Sequence, residues 1–237
     1  MPSSTSKPVV NVNRLLASLP RSEYLRVVSD CEPVELALAA VLGTPGESVS
    51  HVLFPVESFI SLIAPISGHA GLEVGLIGNE GMFGISVLLG VDASPLHAIV
   101  QGAGPALRME TGRFRRELDG NPALHGILLR YIHVMLGQLA QNAACTHFHG
   151  VDVRLARWLL MTADRAHGNA FHLTHEFLAF MLGVRRAGVT KAAFSLQARK
   201  LISYHRGDIT ILDRVGLEAV SCGCYAADKT MYARTMG

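Results

Sequence analysis

Eleven histidines and four cysteines are the residues best suited to acid–base, nucleophilic or metal chemistry, so their spacing comes first. His175-Glu176 begins like the metal-binding helix of a zinc peptidase, where a second histidine four residues on completes the ligand pair. Position 179 is alanine, and the pair is missing. His147 and His149 could hold a metal together with His125 or His133, although histidines near helix ends more often cap the helix or face solvent. Cys222-Gly223-Cys224 offers two sulfur ligands, but no second cysteine pair accompanies it. Cys31 and Cys145 lie far away in sequence, which fits reduced thiols better than a disulfide framework. No metal site is expected. Neither a Gly-x-Ser-x-Gly nucleophile turn, a phosphate-loop lysine nor a complete dinucleotide-binding glycine fingerprint occurs. A metal-dependent enzyme is the weaker reading, and no catalytic residue is assigned.

The remaining chemistry is recognition of an anion, and it concentrates between Leu173 and Ile202. Phe177, Leu178, Met181 and Leu182 recur at the spacing of one apolar helix face. Thr174 is a candidate N-cap, with Glu176 in the first turn where the helix dipole favours an acid. Gly183 supplies the residue with positive φ that a short turn between two helices needs. Beyond it, Val189, Ala193, Leu196 and Leu201 face inward, leaving Arg185, Arg186, Lys191 and Arg199 on the outer side. This is the pattern of a helix-turn-helix whose second helix enters the major groove of DNA. Spacing alone allows an ordinary helical hairpin with a solvated basic face equally well.

The elements that must position these residues follow from composition and patterning. The chain has 237 residues, 49% of them hydrophobic and 17% charged, a globular composition large enough for one or two domains. Its net charge of +2 is unevenly placed. Residues 1–150 carry nine Lys/Arg and twelve Asp/Glu, and residues 151–237 carry twelve and seven, so a polyanion is expected at the C-terminal end. The two most apolar stretches, 72–91 and 124–144, are broken by Glu73, Asn79 and Glu80 and by His125, Arg130 and Gln138. Neither predicts a membrane span. The leader MPSSTSKPVV lacks a charged start followed by an apolar core, which points to a cytoplasmic protein.

Short helices are expected over 11–30, broken at Pro20, after a mobile polar leader. Between Val34 and Met109, apolar runs of four to eight residues alternate with Gly, Pro and Asn punctuation, which predicts a β-barrel or roll. Inside it, Gly78-Asn79-Glu80-Gly81 could cradle an anion on successive N–H groups or serve as a plain β-turn. A long helix should start at Asn121-Pro122 and run to about Cys145. Leu124, Leu128, Tyr131, Met135 and Gln138 follow coiled-coil spacing, which predicts a dimer seam. A second helix capped by Asp152 should bury Leu155, Ala156, Trp158, Leu159 and Leu160 and expose Arg154, Arg157 and Arg165. After Ile202, a hairpin turning at Arg206-Gly207-Asp208 reads as a wing whose tip can reach phosphate. A closing helix over 217–225 and a frayed tail complete the chain.

This order of elements resembles the Crp/Fnr family of bacterial transcription regulators, from about residue 12 to 225. The resemblance is carried by HVLFPVESFISLI, GLIGNEGMFG, VDVRLARWLL and above all THEFLAFMLGVRRAGVTKAAFSLQARKLISYHRGDITILDRVGLE. It implies an α+β fold with a cyclic-nucleotide-binding-like β-roll over 12–120, a dimerisation helix over 121–146 and a winged helix-turn-helix over 150–225. It also implies a homodimer that binds pseudo-palindromic double-stranded DNA, with RNA polymerase as a further partner. A sensor or scaffold acting through protein contacts without DNA is the alternative. Carried over by position, Arg186 and Lys191 match basic recognition-helix residues, with Arg185 beside them and Thr174, Arg199 and Arg206 around them. The acidic residue that often follows the arginine in cyclic AMP-responsive relatives is Ala187 here, followed by Gly188, so those relatives' operator does not transfer. The effector pocket implied by the resemblance comprises Gly78, Asn79, Glu80, Gly81 and His97. Leu96 and His97 stand where an arginine–serine or arginine–threonine pair would hold the cyclic phosphate, which argues against cyclic AMP. The iron–sulfur branch needs clustered N-terminal cysteines, and only Cys31 lies there. In the haem-binding branch His51, His69 or His97 could ligate iron, with nothing to single one out. The effector is left unknown.

Overall fold

The computed structural model describes residues 12–237. The leader at 1–11, expected to be mobile, lies outside the described residues. Two short helices open the chain, α1 (Arg14–Ala17) and α2 (Arg21–Ser29). Asn13 caps α1 through its side chain, and its amide also donates to the carbonyls of Pro55 and Gly81 at 2.9 Å each. Seven strands follow: β1 (Glu32–Leu36), β2 (Val41–Gly43), β3 (His51–Pro55), β4 (Phe59–Ile66), β5 (His69–Ile77), β6 (His97–Gly102) and β7 (Gly104–Glu110). They form two antiparallel sheets, ordered β1-β7-β3 and β2-β6-β4-β5. The alternation of apolar runs and turn residues is thus a β-roll, as expected. A one-turn helix, α3 (Ile85–Leu88), interrupts it.

The helical half begins with α4 (Thr111–Gly120) and α5 (Pro122–Phe148). Asn121 caps α5 by accepting from the Leu124 N–H, and Pro122 takes the first position, where its missing N–H costs nothing. Next come α6 (Val151–Ala166), β8 (Ala170–His172), α7 (His175–Leu182), α8 (Arg186–Ala198), β9 (Ile202–His205), β10 (Asp208–Ile211), α9 (Arg214–Val220) and α10 (Cys224–Met236). One hydrophobic core fills the β-roll and reaches onto α5; a second joins α6 to α9.

Four expectations need correction. Leu124, Leu128, Tyr131 and Met135 do not form a free seam: they are buried in the protomer, packed into the β-roll core. The face of α5 turned to solvent carries Leu129 and Leu136 instead. Arg154, Arg157 and Arg165 are buried, not exposed, because each finds a partner on a distant element. Arg157 meets Asp228 at 2.6 Å, Arg165 meets Glu80 at 2.6 Å, and Arg154 donates to the Leu182 carbonyl. Gly150 rather than Asp152 is the N-cap of α6, and Asp152 sits in its first turn. The frayed tail is α10, which lies on α5, its Met231 covering Gly137 so closely that a side chain at 137 would collide with it. Tyr232 of α10 donates to the Glu80 carbonyl at 2.8 Å.

Candidate DNA-binding interface

Helices α7 and α8 take their relative orientation from the turn between them. Thr174 accepts the Phe177 N–H at 3.1 Å and caps α7. Gly183 ends that helix with φ of 62°, a conformation a side chain resists. A Cβ at this position would also lie 2.6 Å from Leu72 of β5. Arg185 then stands extended ahead of α8. Val189, Ala192, Ala193 and Leu196 are buried against α6 and α7, at the 3-4 spacing of one helical face. The opposite face presents Arg185, Arg186, Ala187, Thr190, Lys191 and Phe194 to solvent.

The first turn of α8 is braced by residues whose part the spacing did not reveal. The Thr190 hydroxyl bridges the Arg186 carbonyl (3.1 Å) and Nδ1 of His175 (3.0 Å). The His175 ring stacks on Tyr204 of β9, centroids 4.3 Å apart and planes 8° from parallel. Burial and the neighbouring Arg186 guanidinium both push the His175 pKa down, so His175 braces as a neutral ring. Gln197 accepts the Tyr204 N–H at 3.1 Å, and the Tyr204 hydroxyl donates to the Leu173 carbonyl at 3.3 Å. One short chain of contacts therefore joins α7, α8 and the hairpin. The only sequence signal was the placement of His175 and Thr190 at the starts of the two helices.

The hairpin of β9 and β10 turns through Arg206 and Gly207, with φ of 50° and 97°. Two consecutive positive φ values match a type I′ turn, whose twist suits a two-residue hairpin. Arg206 is exposed at the tip. The extended link at 171–173 expected before α7 includes β8, which adds a third strand beside β10. Arg185, Arg186, Lys191, Arg199, Lys200 and Arg206 are all exposed, and none is tied up in an ion pair among the described residues. Arg199 caps the far end of α8, about 20 Å from Arg186 at 1.5 Å per residue. The structure does not gather it with Arg185, Arg186 and Lys191.

The expected effector residues are only partly brought together. Gly78, Asn79, Glu80 and Gly81 form the turn after β5, but it is occupied by protein. Glu80 is ion-paired to Arg165, and the Asn79 carbonyl accepts the Arg14 N–H at 2.6 Å. A Cβ at Gly81 would sit 2.0 Å from the Tyr131 hydroxyl oxygen. His97 opens β6 opposite Ile63, whereas Ile77 lies opposite Ile60. That separates His97 from the turn by three residues of strand, about 10 Å. Asn79 and Glu80 border a cleft of about 520 Å³, which Gln138, Asp164, Lys229 and Tyr232 also line.

Comparison with known proteins places this geometry. Residues 153–220 match the model of the Crp-like helix-turn-helix domain. The chain is 24% identical over 176 residues to the global nitrogen regulator of Nostoc sp. strain PCC 7120, covering 70% of this chain and 79% of that protein. Among solved structures, FixK2 from Bradyrhizobium japonicum superposes with a TM-score of 0.68 at 13% identity, over 81% of this chain and 98% of FixK2. A Crp/Fnr-family transcriptional regulator from Thermus thermophilus superposes with a TM-score of 0.64 at 20% identity, over 80% of this chain and 98% of that one.

Proposed function

We propose that this chain, a Crp/Fnr-type transcription regulator by its helix-turn-helix domain and its fold, binds pseudo-palindromic double-stranded DNA as a cytoplasmic homodimer. The observation that carries this reading is the set of six exposed cations between Arg185 and Arg206. Arg186 and Lys191 lie on α8, Arg185 and Arg199 flank it, Lys200 follows in the link and Arg206 turns the hairpin, while three arginines of α6 are buried against internal partners. Arg186 sits at the start of α8, where a guanidinium can meet the two acceptors of a guanine edge. Ala187 and Gly188 have no side-chain donor or acceptor for a base, so Arg186 and Lys191 carry more of the readout. Thr174, Arg185, Arg199 and Arg206 contact phosphate and fix register. RNA polymerase is the partner through which the bound dimer acts on transcription.

Dimerisation is assigned to the free face of α5, with Leu129 and Leu136 at its centre. Gln138, expected in the dimer seam, lies about 200° around the helix from Leu136 and lines the cleft beside Glu80 instead. Two protomers then present α8 to half-sites about one helical turn apart. A nucleotide with a cyclic phosphate suits the β-roll poorly. Leu96 and His97 stand in place of the arginine–serine or arginine–threonine pair, and Glu80 is engaged by Arg165. Any ligand that regulates the protein acts through unequal affinity for two arrangements of α8. The direct test is fluorescence anisotropy of the protein with a labelled duplex from its own upstream region. Saturable binding that survives excess nonspecific DNA is expected. Binding that the competitor abolishes, or that Arg186→Ala leaves unchanged in affinity and selectivity, would refute the assignment.

A further inference from the structure

Cys145 lies in the last turn of α5, and His149 follows four residues later as the helix C-cap. Cys222 and Cys224 flank Gly223 at the entry to α10. Neither pair is a complete ligand set, and 77 residues separate Cys145 from Cys222. The fold joins them. The three sulfurs and one ring nitrogen of His149 all lie within 4.8 Å of one another. Cys145 Sγ stands 3.5 Å from Cys222 Sγ, and His149 Nδ1 stands 3.6 Å from Cys224 Sγ. A tetrahedral zinc ion, with bonds of about 2.3 Å to sulfur and about 2.0 Å to nitrogen, sets its ligand atoms roughly 3.5–3.8 Å apart. A polynuclear iron–sulfur cluster would spread the ligands of different irons more widely. All three cysteines are buried and free of disulfides.

We propose that Cys145, His149, Cys222 and Cys224 bind one zinc ion per chain, clasping the end of α5 to the start of α10. Binding releases three thiol protons to solvent and leaves three thiolates, a neutral imidazole and Zn²⁺, a net charge of −1 in a buried place. Two buried guanidiniums offset it: Arg154 interacts electrostatically with Cys145 and Cys222, and Arg157 with Cys145. Gln141 donates through Nε2 to Cys224 Sγ at 3.0 Å, the outer-shell hydrogen bond a metal thiolate requires. Four protein ligands leave no open position, so the ion is structural and not catalytic. The ligands also bracket the helix-turn-helix domain at 153–220: one pair precedes it and the other follows. The ion therefore staples both ends of that domain to each other. Neither pair advertises the site, since each lacks half of it.

Elemental analysis of the full chain, purified without chelator, tests the proposal. About one zinc per chain is expected. The stripped protein refilled with cobalt(II) should show thiolate-to-cobalt charge transfer and the intense visible bands of a tetrahedral site. Cys222→Ser and Cys224→Ser should each lower bound metal at least tenfold, while Cys31→Ser, remote from the cluster, should retain it. In the unmutated chain, which needs no variant to fold, three of the four thiols should be shielded from a thiol reagent until a chelator is added. Four outcomes overturn the proposal: no metal together with no tetrahedral cobalt spectrum, metal retained in both serine variants, a Cys145–Cys222 disulfide in metal-free protein, or iron with sulfide. DNA binding by metal-free protein would leave the functional reading intact, so the two ideas fail separately.

Discussion

Among single residues, Arg186 matters most for reading DNA. Its backbone is held by Thr190, which is braced in turn by the His175–Tyr204 stack, while its side chain is exposed. Replacing Arg186 with alanine should weaken specific binding by about 1–3 kcal/mol and relax selectivity at one base position; competition titrations with single-base operator variants read both. Arg206 at the hairpin tip should behave differently. Arg206→Ala is expected to weaken every duplex nearly equally and to lower the slope of log affinity against log salt by about one, measured by titration at several salt concentrations. The exposed cations of α8 were legible because they interrupt an apolar 3-4 pattern. Arg154, Arg157 and Arg165 obey the same periodicity but are buried, since Asp228, Glu80 and the Leu182 carbonyl approach from elements distant in sequence. Spacing within α6 holds no trace of those partners.

Among the elements, caps and turns were the readable features. Asn121-Pro122, Thr174 and Gly183 occupy the helix ends their chemistry suits. Gly183→Ala should destabilise the protein by about 1–3 kcal/mol, because it combines a positive φ with a collision against Leu72; urea denaturation measures the loss. The length of α5 was also legible, but its inward face was not. Leu124, Leu128, Tyr131 and Met135 have coiled-coil spacing, and a helix that is apolar on several sides offers more than one such stripe. The β-roll took that one. The stripe left over predicts that Leu136→Glu, at a position 62% exposed, changes protomer stability by less than about 0.5 kcal/mol yet shifts the molecule toward monomer in sedimentation velocity. Similarly, α10 was missed because its apolar residues are sparse and its contacts with α5 and the turn at Glu80 are long-range.

Over the whole molecule, the β-roll and the helix-turn-helix half meet at Glu73 of β5. This carboxylate is buried, accepts from Ser61 and from the lone tryptophan, Trp158, at 2.6 Å each, and sits where α7 packs on β5. Burial raises its pKa from 4.5 to about 7, against the lowering effect of its hydrogen bonds and nearby arginines. Because the folded state holds this proton more tightly, Glu73 stabilises the protein below the unfolded value near 4.5, and that contribution is lost as pH rises through about 7. Glu73→Gln should therefore add up to roughly 3 kcal/mol at about pH 8 and nothing at about pH 4, as pH-dependent chemical denaturation would report. The joint itself was invisible in sequence, since 85 residues separate Glu73 from Trp158. If a symmetric dimer reads DNA through α8, selection of bound duplexes from a randomised pool will show it. Inverted repeats with half-sites about 10 base pairs apart, centre to centre, and with a guanine preference lost in Arg186→Ala, are the predicted result. A pool that emerges without sequence enrichment, or with an unpaired site that Arg186→Ala selects equally well, would contradict it.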